Sequence, residues 1–255
     1  MVQEILKVRD VKKYFGGVMA VDGASFSVEE QTIRGLIGAN GAGKTTLFNL
    51  ITGYYKLDSG NIFFKDERVD QLPTFKKARI GMVRTFQLTK ALSRMTVLEN
   101  LLLGPKMQSG EHIHNIFLRP KIVADEEAVI VEKALATLEF FDLMHMKDDY
   151  AGALSGGQKR LLEMARALMT DPKMLLLDEP FAGVNPTLAR KLVGRIKELK
   201  GQGMTFLIIE HDIPLITEVS DTLSFMNHGR IILEGPPEDV KHDPRVLDAY
   251  LGDGA

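Results

Sequence analysis

Residues 38–45 read GANGAGKT, a composition and spacing suited to gripping a chain of phosphates. Gly38, Gly41 and Gly43 carry no Cβ, so the backbone can turn successive N–H groups inward onto phosphate oxygens. Ala39, Asn40, Ala42 and Thr46 complete the loop. Lys44 adds a point charge for the β and γ phosphates, and Thr45 offers the hydroxyl that G-x-x-x-x-G-K-S/T loops place on Mg2+. Downstream, MLLLDEP at 174–180 is an apolar run that delivers Asp178 and Glu179 to its carboxyl end, where open α/β sheets collect ligands. Asp178 suits the Mg2+ shell opposite Thr45, and Glu179 is placed to polarise a water for in-line attack on the γ phosphate. A strand ending in Asp-Glu-Pro can also be leaving its sheet through a polar turn. Its company with the upstream loop argues for chemistry.

Between these motifs lies LSGGQ at 154–158. Ser155 and Gln158 have the S-x-x-Q spacing of a capping box and can simply start a helix. With Gly156 and Gly157 beside them, the same residues present free N–H groups and a positive dipole end, a second anion site. One nucleotide has no obvious way to use both sites of one subunit.

The elements that must position these residues follow an interrupted α/β pattern. The phosphate loop sits between an apolar strand at 33–37 and a stretch with Leu47, Leu50 and Ile51 at helical spacing, so phosphates would meet a helix N-terminus. Strand-like runs at 6–11, 24–28 and 61–64 suggest a small β layer beside the nucleotide. Apolar runs at 173–177, 205–209 and 222–226 alternate with helical stretches, the mark of a parallel sheet covered on both faces. From 88 to about 166 the texture is helical, with helices expected over 95–103 and 126–143. Residues 105–124, holding Gly110, Pro120, His112 and His114, read as a solvated surface excursion rather than a metal site, because no third ligand is near. At the end, Asp243 and Pro244 suit a helix start, and Val246, Leu247, Tyr250 and Leu251 form an apolar stripe.

The 255 residues are 45% hydrophobic and 26% charged, enough for a large core. A net charge of −2 supplies no basic field, so nucleic acid is not an expected partner. No run approaches the roughly 18 apolar residues that cross a bilayer, and the start MVQEILKVRD shows no apolar signal core, so a cytoplasmic location is expected. Zero cysteines exclude disulfides and thiol ligation.

Phosphate loop, LSGGQ and the Asp-Glu pair in this order resemble the ATP-binding cassette (ABC) ATPase family, over nearly the whole chain. The resemblance implies a P-loop NTPase, RecA-like α/β core with an antiparallel β subdomain and an inserted α-helical subdomain. Residues 1–87 and 166–255 would form the core, and 88–165 the helical signature subdomain. It implies ATP and Mg2+ as ligands. Two cassettes would sandwich each ATP between the loop of one subunit and the signature of the other. Carried over by motif, Gln87 in RTFQ resembles the glutamine that touches Mg2+ or water, and His211 in IIEHD the switch histidine at the γ phosphate. Phe15 in KKYFGG occupies the place of the aromatic that stacks on adenine, with Tyr14 as the fallback. AGVNP puts Asn185 where the family usually has Asp, which removes a charge at the dimer seam while keeping hydrogen bonding.

VRTFQ, MTVLENLL, the 105–124 excursion, AGVNP, IIEHD and DPRVLDAYLG further resemble importers of branched-chain amino acids. That implies a second ATPase subunit, two integral membrane permeases, a solute-binding protein outside, and a peripheral place on the inner face of the membrane. Urea or amide import, lipopolysaccharide export and a soluble ATPase of the same fold are the alternatives. The last would normally show tandem cassettes, a coiled-coil insertion or a basic arm, none of which this sequence has.

Overall fold

The computed structural model describes residues 3–85, 92–106, 108–111 and 113–252. In chain order the elements are β1 (Glu4–Phe15), β2 (Val18–Glu29), β3 (Ile33–Ile37), α1 (Lys44–Thr52), β4 (Ser59–Phe64), β5 (Glu67–Arg68), α2 (Thr74–Arg79) and β6 (Met82–Arg84). Then come α3 (Val97–Leu102), α4 (Ile113–Leu118), α5 (Pro120–Phe140) and α6 (Gly156–Leu168). The chain closes with β7 (Met174–Asp178), α7 (Pro186–Gly201), β8 (Thr205–Ile209), α8 (Ile213–Val219), β9 (Thr222–Asn227), β10 (Arg230–Gly235), α9 (Pro237–Lys241) and α10 (Pro244–Gly252). Two compact units result. One holds Met1–Gln87, Lys173–Ala182 and Pro186–Ala255, the other Leu88–Pro172 and Gly183–Asn185. A division at Arg166 would cut α6, which the second unit carries whole.

Among the described residues the first unit contains two sheets, one antiparallel in the order β2-β1-β4-β5 and one in the order β10-β9-β3-β8-β7-β6. The second is parallel from β9 to β6, with β10 antiparallel at its edge. Its central strands β3, β7 and β8 are almost continuously buried, as strands covered on both faces must be. Side chains alternate along β3. A Cβ at Gly35 would strike Ile216 of α8, whereas Leu36 joins Leu47, Phe48 and Ile51 of α1 in the main apolar cluster. That cluster also contains Ile5, Val8, Phe26 and Ile62, so α1 and both sheets share one core.

In the second unit, Thr96 caps α3 through a capping box with Glu99. Asn100 is fully buried, and its amide bonds to Leu92 O, Met95 O and Thr96 O, which closes the turn before α3. The expected excursion at 105–124 is instead partly helical, with α4 and the first turn of α5 inside it. Pro120, placed by the sequence within the surface excursion, opens α5 at a position where its missing N–H costs nothing. The long helix therefore starts at Pro120 rather than at 126 and ends at Phe140, before Asp142 turns left-handed at φ 54°. Of the histidines read in the excursion, His114 lies on α4 and His112 lies outside the described residues.

Candidate functional site

The loop between β3 and α1 is shaped by backbone approaches that a Cβ would forbid. Gly43 has φ 103° and an added Cβ would lie 2.3 Å from Ala20 O. At Gly38 it would lie 2.2 Å from Met226 O. Gly41, at φ 78°, faces open space. Gly43 is the N-cap of α1 and no side chain caps that helix, so its first-turn N–H groups point out beneath the loop. Lys44 is 8% exposed, with Nζ donating to Gly38 O at 2.6 Å and Ala39 O at 2.9 Å. The ammonium thus lies inside the ring of backbone that a phosphate would enter. Thr45, next to it, is exposed.

Strand register brings the acidic end to the same level. Leu36 of β3 and Asp178 of β7 both pair with Ile209 of β8, so one row of the sheet runs from the foot of the loop to Asp178. At roughly 4.8 Å per interstrand spacing, the two spacings across β8 put them about 10 Å apart. Asp178 is buried. Its Oδ2 accepts from Arg84 Nη2 at 2.6 Å, and its Oδ1 is buried with no hydrogen-bond partner among the described residues. An orphaned buried carboxylate oxygen at this edge fits a cation or its bound water. Mg2+ is commonly held by one or two carboxylates with substrate phosphates completing its shell. No group of three or more His, Cys, Asp or Glu gathers among the described residues. Thr45 and Asp178 are the residues that could hold it here.

Glu179 has the unusual φ of 48°, with its N–H bonded to Ile209 O and its carbonyl accepting from Ala182 N–H. A non-glycine residue kept in the left-handed region is held there by its surroundings. Across from it stands His211, whose Nδ1 is 3.8 Å from Glu179 Oε1 and 3.7 Å from Glu210 Oε2. Glu210, for which the sequence reading found no role, is fully buried and accepts backbone N–H bonds from Phe181 at 2.8 Å, His211 at 3.0 Å and Asp212 at 3.4 Å. It ties the turn after Glu179 to the turn carrying His211. Burial pushes its carboxyl above the ordinary range against the pull of those three bonds.

Phe15, at the end of β1, is 44% exposed. Its ring meets Tyr55 edge-on at 5.3 Å, and Lys13 Nζ sits 5.4 Å from its centroid. Tyr14 is similarly exposed, but its N–H is committed to Asp58 Oδ2. Asp58 also accepts from Lys13, and these bonds hold its carboxyl below the usual range. Phe15 is therefore braced while keeping surface for a flat ligand.

The signature residues belong to the second unit. The capping box forms: Ser155 Oγ accepts from Gln158 N–H at 3.3 Å, and Gln158 Oε1 from Ser155 N–H at 2.9 Å. Gly156 opens α6, and a Cβ there would meet nothing within 4 Å. Gly157 follows it in the first turn of α6. Asn185 directly precedes Pro186, the first residue of α7. Gln87 lies outside the described residues. Sequence reasoning missed Arg84 and Glu210, although both sit in segments it singled out. The available signal was a charged residue at the end of an apolar strand, which must find a partner when buried.

Comparison with known proteins places this geometry. Residues 21–182 match the family model described as ABC transporter, and 230–255 match the model described as branched-chain amino acid ATP-binding cassette transporter. A probable branched-chain amino acid transport ATP-binding protein of Methanocaldococcus jannaschii is 44% identical, over 98% of either chain. Its counterpart from Archaeoglobus fulgidus is 42% identical, over 98% of this chain and 96% of its own. Among solved structures, the ADP conformation of an ATP-binding cassette of an ABC transporter superposes with a TM-score of 0.84 at 43% identity, covering 98% of this chain and 99% of that one. Loop, carboxylate row and capped signature helix thus stand in a chain collinear with these relatives from end to end, and the chain belongs to the ABC transporter family as one of its ATP-binding, ATP-hydrolysing subunits.

Proposed function

We propose that this subunit powers the uptake of branched-chain amino acids, with Glu179 as the general base of ATP hydrolysis. The observation that carries the catalytic assignment is the row Leu36–Ile209–Asp178, which sets a buried carboxylate, its Oδ1 without a partner among the described residues, level with the foot of the phosphate loop, with Glu179 next in the chain. Gly38 to Thr46 would cradle the phosphates through backbone N–H groups, with Lys44 exchanging its loop carbonyls for phosphate oxygens. Mg2+, held by Thr45 and Asp178 with Gln87, would neutralise charge on the β and γ phosphates. Glu179 would take the proton of the attacking water, and His211 would orient the γ phosphate. Phe15 would stack on adenine, worth on the order of 1 kcal/mol.

Ser155, Gly156, Gly157 and Gln158 would close on the nucleotide of a second ATPase subunit, supported by a helix start whose Gly156 faces open space. The cargo reading is supported by the names of the relatives and by the match at 230–255. It brings two membrane permeases, a solute-binding protein and a station at the inner membrane face. No described helix is long and apolar enough to cross a membrane.

Glu179→Gln tests the chemistry. ATP affinity should persist while turnover falls about a hundredfold or more and an ATP-bound dimer accumulates on gel filtration. Normal turnover would remove Glu179 from its role. Leucine uptake by vesicles holding this chain, its permeases and the binding protein tests the cargo, and stimulation by urea or an amide instead would reassign it.

A further inference from the structure

Helix α10 ends against the phosphate loop. Asp243 fixes its first turn: Oδ1 accepts from Arg245 N–H at 2.9 Å, and the Val246 and Leu247 N–H groups bond to the Asp243 carbonyl. Val246 is buried, and Tyr250 follows one turn later on the same face. Leu247, expected on that stripe, is 46% exposed. Tyr250 is half-buried, and its hydroxyl accepts the Gly38 N–H at 3.0 Å, across 212 positions of sequence.

Gly38 is where the chain leaves β3 and enters the loop. A Cβ there would lie 2.2 Å from Met226 O of β9, so no side chain fits on that side. The Gly38 carbonyl takes Lys44 Nζ at 2.6 Å. One residue thus carries Tyr250 on its N–H and Lys44 on its C=O. Burial raises the Tyr250 hydroxyl above its ordinary range, so the phenol stays protonated at neutral pH. The general cassette model ends at residue 182, and this strut comes from the separate segment 230–255.

We propose that Tyr250 is a positioning residue for nucleotide binding: its hydroxyl fixes the entry of the phosphate loop, so the terminal helix sets the affinity for the phosphate chain. This rests on the reading of residues 38–46 as the phosphate cradle.

The test titrates the full-length chain with Mg-ADP by calorimetry, alongside thermal unfolding, for the native sequence, Tyr250→Phe, Tyr250→Leu and Lys44→Ala. Tyr250→Phe keeps the ring and deletes one hydrogen bond. It should weaken ADP binding about three- to tenfold, raise KM for ATP by the same factor, lower Tm by no more than about 4 °C, and leave saturated kcat unchanged. Tyr250→Leu should weaken binding at least as much and lower Tm further. Native ADP affinity in Tyr250→Phe, or a fall in kcat with affinity unchanged, overturns the proposal and assigns Tyr250 to packing. Lys44→Ala separates the two readings. If it binds ADP as the native chain does, the cradle itself is misread; if it alone loses affinity, only the role of Tyr250 falls.

Discussion

Arg84 holds Asp178 across two neighbouring parallel strands, Nη2 to Oδ2 at 2.6 Å, with the aspartate side chain wholly buried and the arginine side chain 14% exposed. Arg84 Nη1 reaches Asn49 Oδ1 at 2.5 Å and Thr52 Oγ1 at 3.5 Å, both on α1. One guanidinium therefore links the helix below the phosphate loop to the strand that ends in the acidic pair. Asp178 Oδ1 is left without a hydrogen-bond partner among the described residues.

Removing that cation should strand a buried charge. Arg84→Ala is expected to lower unfolding free energy by about 3–5 kcal/mol, read by urea denaturation without nucleotide. A loss under about 1 kcal/mol, the size of an exposed pair, would show that Asp178 finds other compensation.

Gly43 and Gly41 share a positive φ but not the same surroundings. Gly41→Ala should cost only backbone strain, about 1 kcal/mol, because a Cβ there meets nothing within 4 Å. Gly43→Ala adds a collision with Ala20 O and should cost at least twice as much in chemical denaturation without nucleotide. Equal costs would mean that β2 yields freely to the loop.

Glu210 joins two turns through three backbone N–H groups. Glu210→Gln sets an amide N–H2 against donors it cannot accept from, and should cost about 1–3 kcal/mol. Displacement of His211 and of the turn after Glu179 should lower kcat on the order of tenfold with little change in KM. The pH dependence has a definite sign, because burial raises the folded-state pKa above the ordinary 4.5. Below 4.5 the carboxyl is protonated in both states and its contribution is full; as pH rises through the raised value, that contribution is lost. The stability of the native chain relative to Glu210→Gln should therefore decline as pH climbs from 4.5. A flat difference curve would place Glu210 at its ordinary pKa.

Lys77 is buried beneath the far end of α1, where Nζ donates to Ile51 O at 2.7 Å and so satisfies a terminal helix carbonyl. Burial lowers its pKa from 10.5 to about 8, partly opposed by Asp70. Its contribution to stability is full above 10.5 and lost as pH falls through about 8. The native chain should gain on the order of 3 kcal/mol over Lys77→Met between those limits, measured by denaturant unfolding at each pH. No gain would mean that the ammonium keeps its charge inside the fold.

Much of this site was legible because its residues are neighbours in sequence. The glycine loop needs positive φ at Gly41 and Gly43 and close backbone approach at Gly38 and Gly43, all within eight residues. Ser155 and Gln158 form their capping box inside one turn. The strands at 33–37 and 205–209 were readable because burial on both faces demands uninterrupted apolar runs. The reading of 105–124 went astray at Pro120, since proline ends a helix from inside but starts one at its first turn.

Local sequence by itself determined the order and chemistry of the motifs, because capping, turn formation and strand burial act over a few residues. Only the tertiary structure decided that Arg84 is the partner of Asp178, that Glu210 braces the turn carrying His211, and that Tyr250 reaches Gly38. Those partners are set by strand order and helix docking, which bring together groups as far as 212 positions apart in sequence. A buried polar group must be satisfied, but its sequence does not name the neighbour that will satisfy it.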